Sequence, residues 1–261
     1  MPDSLQDMLD IAVAAANQSS IILMERFGNI QQIVSKDSVK KEFVTDVDLQ
    51  VEGEIITIIR DEFPDHCILS EERGDLIIDS DYKWIIDPLD GTHNYAHKMP
   101  LFGTSIALEH KGQVIIGIVT APYFKHTYKA VRGKGAFLND EKINVSKRDL
   151  GNALMIFDTK LRFDDGPMLK TLGKLVHKAH IVRMYGCATW DLSMIAIGNA
   201  DMSVDFTAKP WDLAAGALIV EESGGKVTDL RGNDWNAYSK GFVASNGVMH
   251  AEILEIISEF L

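Results

Sequence analysis

The run Trp84-Ile-Ile-Asp-Pro-Leu-Asp90-Gly-Thr92 is the tightest constraint on how this chain can fold. Trp84, Ile85 and Ile86 call for burial, yet they lead directly into Asp87 and Asp90. A buried strand that delivers acids at its C-terminal end meets both demands. Pro88 fixes a sharp exit and disfavours helix at the residue before it. Asp90, Gly91 and Thr92 then fit the first turn of a helix, whose free N–H groups and positive dipole end suit a phosphate. Gly91 lets backbone approach such an anion closely.

The pattern recurs. Thr45-Asp-Val-Asp48, Ser70-Glu-Glu72 and Trp211-Asp212 also fall at expected element ends. Taken singly, Glu71-Glu72 is an exposed pair, Asp87 and Asp90 are turn or cap residues, and Asp212 is an acid favourable to a helix N-terminus. If the clusters converge, the carboxylates repel one another, and burial raises that cost. A cation between them removes the difficulty, and all-oxygen ligation selects Mg2+, Mn2+ or Ca2+. Two carboxylates beside a phosphate cradle suit a two-metal hydrolytic site.

Periodicity places these clusters on elements. Leu5 to Phe27 reads as a long amphipathic helix stopped by Gly28, and Asp46 to Glu62 as a second, with Val51, Ile55, Ile58 and Ile59 inward. Cys67-Ile-Leu and Trp84-Ile-Ile read as buried strands. Residues 102–108, 114–120 and 127–131 read as antiparallel strands joined by turns. The second half alternates strand (153–157), helix (167–177), strand (181–184), helix (189–197), strand (202–206) and helix (211–222). A strand at 241–244 and a helix from Val248 onward follow. This is mixed α/β or α+β layering in one body. The 261 residues, 46% of them hydrophobic, suffice for a full core in a single domain, taken as two tightly joined halves of about 1–150 and 151–261.

A net charge of −12 argues against nucleic acid as a partner and suits a collector of divalent cations. Cys67 and Cys187 have no metal-like spacing, so no disulfide framework and a reducing cytoplasm are expected. Neither a signal peptide nor a membrane span is expected from the apolar runs. His93 and His97 lack a third ligand or a general-base glutamate, which sets zinc aside. Cys187 reads as a small buried residue rather than a nucleophile. Gly133-Lys-Gly135 reads as a turn, and no Gly-x-Ser-x-Gly elbow is present. Asp46 reads as a cap or a solvated neighbour of Asp48, not a ligand, and Glu72 as a residue behind the ligands. Lys36, Arg183 and Lys209 are solvated charges before they are substrate contacts.

Trp84-Ile-Ile-Asp-Pro-Leu-Asp-Gly-Thr-His-Asn-Tyr95 resembles the first signature of the inositol monophosphatase family, and Pro210-Trp-Asp-Leu-Ala-Ala-Gly216 resembles its second. Val44-Thr-Asp-Val-Asp48, Ser70-Glu-Glu72 and Gly186-Cys-Ala188 fall in the matching order. The resemblance implies a layered αβαβα sandwich, commonly a homodimer, that hydrolyses small phosphate monoesters with two or three Mg2+ ions, Mn2+ being an alternative. It implies that Glu71, Asp87 and the carbonyl of Leu89 hold one ion, and Asp87, Asp90 and Asp212 a second. Glu71 would also hold a weaker third. Thr92, backed by Asp48, would orient and deprotonate the attacking water together with Glu71, and no residue would be phosphorylated. The amides of Gly91 and Thr92 would hold phosphate oxygens. Asp90, Gly186, Cys187, Ala188, Asp205 and Asp212 would line the substrate side. Family members are often inhibited by lithium. They often carry Thr where His93 stands and usually Glu where Asp205 stands, and a shorter acid alters reach toward substrate hydroxyls.

The leading substrate class is an inositol or sugar phosphate. Fructose-1,6-bisphosphatase activity, alone or in addition, is the nearest rival. A 3′-phosphonucleotide is disfavoured because His93-Asn94-Tyr95 stands where nucleotide enzymes of this type carry a charged pair. Histidinol phosphate is a further alternative. From a different class, the chain could be a phospho-ligand binding protein without turnover, against which stands the full set Glu71, Asp48 and Thr92. Specificity is expected from loops around residues 158–166 and 185–209.

Overall fold

A computed structural model describes residues 4–37, 42–76, 78–161 and 166–261. Helix α1 (Leu5–Arg26) leads to strands β1 (Ile33–Asp37) and β2 (Glu42–Thr45), which pair with each other, and then to α2 (Asp46–Glu62). Next come β3 (Cys67–Ser70), β4 (Gly74–Leu76), β5 (Tyr82–Asp90), the short helix α3 (Thr92–Ala96), β6 (Gly103–His110), β7 (Gln113–Ala121), β8 (His126–Val131), β9 (Ala136–Leu138) and β10 (Glu141–Lys142). The second half runs β11 (Leu154–Phe157), α4 (Pro167–Leu175), β12 (Ile181–Arg183), α5 (Ala188–Ala196), β13 (Met202–Asp205), α6 (Pro210–Glu222), β14 (Lys226–Thr228), β15 (Phe242–Ser245) and α7 (His250–Ser258).

Among the described residues, two larger sheets form. One is eight-stranded, in the order β10-β9-β8-β7-β6-β5-β3-β4, and the other five-stranded, β12-β11-β13-β15-β14. The two-residue period of β5 divides the core. Trp84 and Ile86 point to α1 and α2, joining Met8, Ala12, Val51, Ile55, Ile106 and Leu108. Ile85 points the other way, with Ala107 and Val119, into Leu192 and Ile195 of α5 and Leu213, Ala217 and Leu218 of α6. Both isoleucines are fully buried, each contributing roughly 1.5–3 kcal/mol of transfer free energy. The far side of α5 and α6 meets Ile156, Phe242 and Ala244 of the second sheet. That sheet's outer face buries Met155, Val204 and Val243 under α4 and α7. The expected αβαβα layering follows from these three clusters.

Close approach of the middle layer is set by two glycines. A Cβ on Gly117 of β7 would stand 2.7 Å from the Ala215 carbonyl, and one on Gly216 would stand 2.5 Å from Leu192. Helix α6 therefore lies tight against the large sheet and against α5.

Several boundaries differ from the sequence reading. Strand β5 does not end at Pro88 but continues to Asp90, through a register shift against β6 between Asp87 and Asp90. Proline is tolerated at such a bulge because no ladder N–H is required of it. Asp90 is thus the last strand residue and Gly91 the N-cap, so the helix begins only at Thr92 and runs five residues. On α1, Ala15, Ser19 and Ile22 are inward beside Met8, Ala12, Ala16 and Leu23, whereas Leu5 and Met24 are exposed. The small residues are what allow α1 to lie close to α2 and the sheet. On α2, Ile56 is buried and Ile58 only partly so. No helix among the described residues is long and apolar enough to cross a membrane. The side chain of Lys36 and residues 162–165 of the expected specificity loop lie outside the described residues.

Candidate active site

Strands β3 and β5 run parallel, with Ser70 opposite Ile86. The N–H of Glu71 extends the ladder by donating to the Ile86 carbonyl at 3.1 Å. Glu71, just past the end of β3, consequently stands beside Asp87 of β5. Asp87 is opposite Ser105 of β6, and Ser105 Oγ donates to the Trp211 carbonyl at 3.0 Å. That bond ties the first turn of α6, and with it Asp212, to the end of β5. Asp212 also caps α6 by accepting from the Lys209 N–H at 2.9 Å.

Burial and like charge dominate this corner. Asp87 is 1% exposed, and the Leu89 N–H, at 3.0 Å, donates to its carboxyl. Burial first, then the charges of Glu71, Asp90 and Asp212, push its pKa well above the ordinary carboxylate range. Asp212 is pushed well up by burial and then by Asp90. Asp90 is raised by burial although the Thr189 N–H (2.6 Å) and the Cys187 thiol (3.3 Å) both donate to Oδ2. The four acids expected to converge are therefore electrostatic neighbours. Among the described residues no three of them are already closed around a common point as a finished metal cage. Their chemistry, all oxygen and crowded with like charge, fits a hard divalent cation.

Asp48 is fully buried in the first turn of α2. Its Oδ2 accepts from the N–H and the hydroxyl of Thr45, the helix N-cap. Its Oδ1 faces Thr92 Oγ1 at 3.2 Å, while the same hydroxyl stands 2.9 Å from the Leu89 carbonyl. A hydroxyl has one proton, so Thr92 donates to one of these acceptors at a time. Gly91 has φ +81°, and a Cβ there would lie 2.7 Å from the Leu101 carbonyl and 3.3 Å from Cys187 Sγ. Only glycine fits. Because α3 is so short, any anion contact rests on the local amides of Gly91 and Thr92 rather than on a long helix dipole.

The second half closes over this edge. Asn94 Nδ2 donates to the Tyr185 carbonyl at 2.8 Å, holding the Tyr185-Gly186-Cys187-Ala188 turn against α3. Cys187 is buried, and burial followed by the Asp90 charge pushes its thiol well up, which makes it a poor nucleophile. Asp205 ends β13 and accepts from the Thr207 N–H at 2.6 Å. Burial, then the charge of Asp158, raises it to about 7. His93 lies against the Phe43 ring, centroids 4.6 Å apart, and His97 Nδ1 meets the His93 carbonyl at 2.8 Å, a helix-end arrangement. Asp46 is not the cap, a role that Thr45 takes; it opens α2, pairs with Arg26 and accepts from the Gln31 and Gln32 N–H groups.

Four participants escaped the sequence reading. Thr189 holds Asp90. Asp158 and Asp191 are buried acids among the neighbours of Asp205 and Asp90. Glu52 is a buried acid of α2 beneath the Glu71 turn. Asp158 carried a usable signal, since it follows the apolar run Leu154–Phe157 as Asp87 follows Trp84-Ile-Ile. The other three carried none.

The family model for the inositol monophosphatase family matches residues 4–260. The chain belongs to this family. The fructose-1,6-bisphosphatase/inositol-1-monophosphatase of Thermotoga maritima is 34% identical over 254 residues, covering 97% of this chain and 96% of that protein. The Nus factor SuhB of Escherichia coli is 35% identical over 246 residues, covering 93% and 92%. Among solved structures, an IMPase/NADP phosphatase complexed with Mg2+ and phosphate superposes with a TM-score of 0.85 at 27% identity, covering 97% of this chain and 95% of that one. Inositol monophosphatase family membership thus spans both sheets and all the acidic clusters described above.

Proposed function

We propose that this protein is a Mg2+-dependent phosphatase that hydrolyses a phosphate monoester of inositol or a sugar. One observation carries the reading: Asp87, fully enclosed, faces Glu71, Asp90 and Asp212, an arrangement that a divalent cation would relieve. Glu71, Asp87 and the Leu89 carbonyl are assigned to one ion, and Asp87, Asp90 and Asp212 to another, with Glu71 reaching a weaker third. Bound magnesium supplies positive charge against the phosphate oxygens and makes water more acidic.

The chain's own residues do the rest. Thr92 orients the attacking water, and Asp48, fixed by Thr45, takes up the hydroxyl's proton interaction on the far side. Glu71 stands beside Asp87 as a second acceptor for the water's proton. The Gly91 and Thr92 amides meet phosphate oxygens where no side chain can intrude. Asp90, Gly186, Cys187, Ala188, Asp205 and Asp212 line the side on which the alcohol would sit. The Mg2+ and phosphate named for one structural relative support the cofactor. The double name of the Thermotoga relative supports inositol 1-phosphate and fructose 1,6-bisphosphate as the first two substrates to compare. A cytoplasmic homodimer is the assembly that this reading carries.

The Nus factor name of a relative of nearly equal length favours a second reading, in which binding rather than turnover is the main role. Phosphate release with Mg2+ decides between them, using inositol 1-phosphate, fructose 1,6-bisphosphate, 3′-phosphoadenosine 5′-phosphate and histidinol phosphate with Asp90→Asn as control. Release that depends on Mg2+ and disappears in the variant supports the phosphatase. No release from any of the four, with Mg2+ still bound, supports the binding role.

A further inference from the structure

Helix α2 carries two fully buried acids one turn apart, Asp48 and Glu52. A separation of four residues puts them on one face. Asp48 serves Thr92, as described above. Glu52 reaches the turn after β3: its Oε1 accepts from the backbone N–H groups of Glu72 and Arg73, each at 3.1 Å. Its Oε2 stands 3.1 Å from Arg73 Nε, close enough for an ion pair though not aligned as a hydrogen bond. The Arg73 guanidinium lies across Gly53, where a Cβ would already touch Nη2 at 3.6 Å. Burying a carboxylate is costly unless it is compensated, and here the compensation comes entirely from the segment that begins with Glu71. The backbone of Glu71 is held at its own N–H by Ile86 and at the next two N–H groups by Glu52.

We propose that Glu52, with Arg73, is a positioning residue that fixes the Glu71 turn for metal binding, so that a single helix sets both Thr92 and Glu71. The inference rests on the proposed role of Glu71 as a ligand. The structure leaves Glu52 no route to substrate, since its carboxylate is spent on the turn.

The test is calorimetric titration of the metal-free protein with Mn2+, alongside amide exchange at residues 72 and 73. Glu52→Ala weakens Mn2+ binding about tenfold or more and accelerates exchange at both amides. Half-maximal Mg2+ for phosphate release rises by the same factor, while kcat at saturating Mg2+ and KM for substrate stay near wild type. Glu52→Gln keeps an acceptor for both N–H groups and restores most of the affinity. It and Arg73→Ala each show a loss of roughly twofold to fivefold, as expected for a half-exposed ion pair. Glu71→Gln is the reference. If it loses Mn2+ while Glu52→Ala binds normally despite faster exchange at 72 and 73, Glu52 is only architectural and this inference alone falls. If Glu71→Gln binds Mn2+ as wild type does, the ligand role and this inference fall together. Should Glu52→Ala not fold, unchanged affinity in both Glu52→Gln and Arg73→Ala overturns the inference.

Discussion

Asp201 and Asp87 are both buried carboxylates, one in each half of the chain, and their surroundings are opposite. Asp201 accepts from Arg148 Nε at 2.9 and 3.0 Å, from the Leu154 N–H at 2.7 Å and from the Ser146 hydroxyl. Its charge is answered within the fold, where it ties the segment before β11 to the start of β13. Asp87 receives the Leu89 N–H and otherwise meets three more acids. The contrast separates architecture from function. The chain compensates the charge of Asp201 itself, whereas at Asp87 the proposed cation would have to do so.

The comparison can be broken most sharply at Asp87. Asp87→Asn should lower phosphate release by about a hundredfold to a thousandfold, since charge stabilisation at the phosphate is the main contribution. The same change should not destabilise the metal-free protein. The folded-state pKa of Asp87 is raised, so its ionisation costs stability as pH climbs from the ordinary carboxylate range through the raised value. Removing the charge removes that cost at neutral pH, and thermal melts in chelator should show an equal or higher midpoint. A clear fall in midpoint would place Asp87 with Asp201.

Asp201→Ala should do the reverse. It leaves the half-exposed Arg148 without its partner and the Leu154 N–H without its acceptor, for a loss of about 1–3 kcal/mol. Urea unfolding measures it, and phosphate release per folded molecule should stay near wild type. A loss of activity without a loss of stability would erase the distinction.

His250 extends the compensated class to a base. It is buried between the hydroxyls of Thr228 (3.0 Å) and Ser245 (2.9 Å), and burial lowers it from 6.5 to about 4. The unfolded chain binds the proton first on acidification. Stability is therefore full above about pH 6.5 and is lost as pH falls toward 4, by about 3 kcal/mol in all. Urea midpoints across that window should flatten in His250→Gln.

The smallest effect is expected at Asp205. Asp205→Glu lengthens the acid by one methylene and should change the ratio of kcat/KM between inositol 1-phosphate and fructose 1,6-bisphosphate by about tenfold. Mg2+ affinity should not move, because the change lies on the alcohol side. A shift in Mg2+ affinity would mean that the two sides are not separable.

The sequence was most legible where hydrophobic period and chemistry coincide. Helix α2 runs from Asp46 to Glu62 as its spacing required, and the apolar runs ending at Ser70 and Asp87 became neighbouring parallel strands. It was least legible where a tertiary partner decides. Pro88 read as an exit because its ring breaks a regular ladder; only the pairing of Asp90 with Gly103 shows that the strand resumes. Strands β1, β4, β9, β10 and β14 are two to five residues long, too short for alternation to show. Glu52 sits next to Val51 on an amphipathic helix and reads as part of the polar face, since its burial depends on a turn some twenty residues later. Among the site acids, Asp87 follows an apolar run and could be found, whereas Asp191 in the first turn of α5 could not.

The hold of Thr189 on Asp90 has a consequence for how such chains diversify. Glu71, Asp87, Asp90 and Asp212 repel one another, so exchanging any one changes the charge that the others meet. The Gly186–Ala188 turn is anchored through a backbone group, the Tyr185 carbonyl that Asn94 holds. The Ala188 side chain can be exchanged without disturbing that anchor. On the proposed assignment, selection retunes the alcohol while the phosphate machinery is inherited intact, and a lineage of these chains would agree about the acids and diverge in diet.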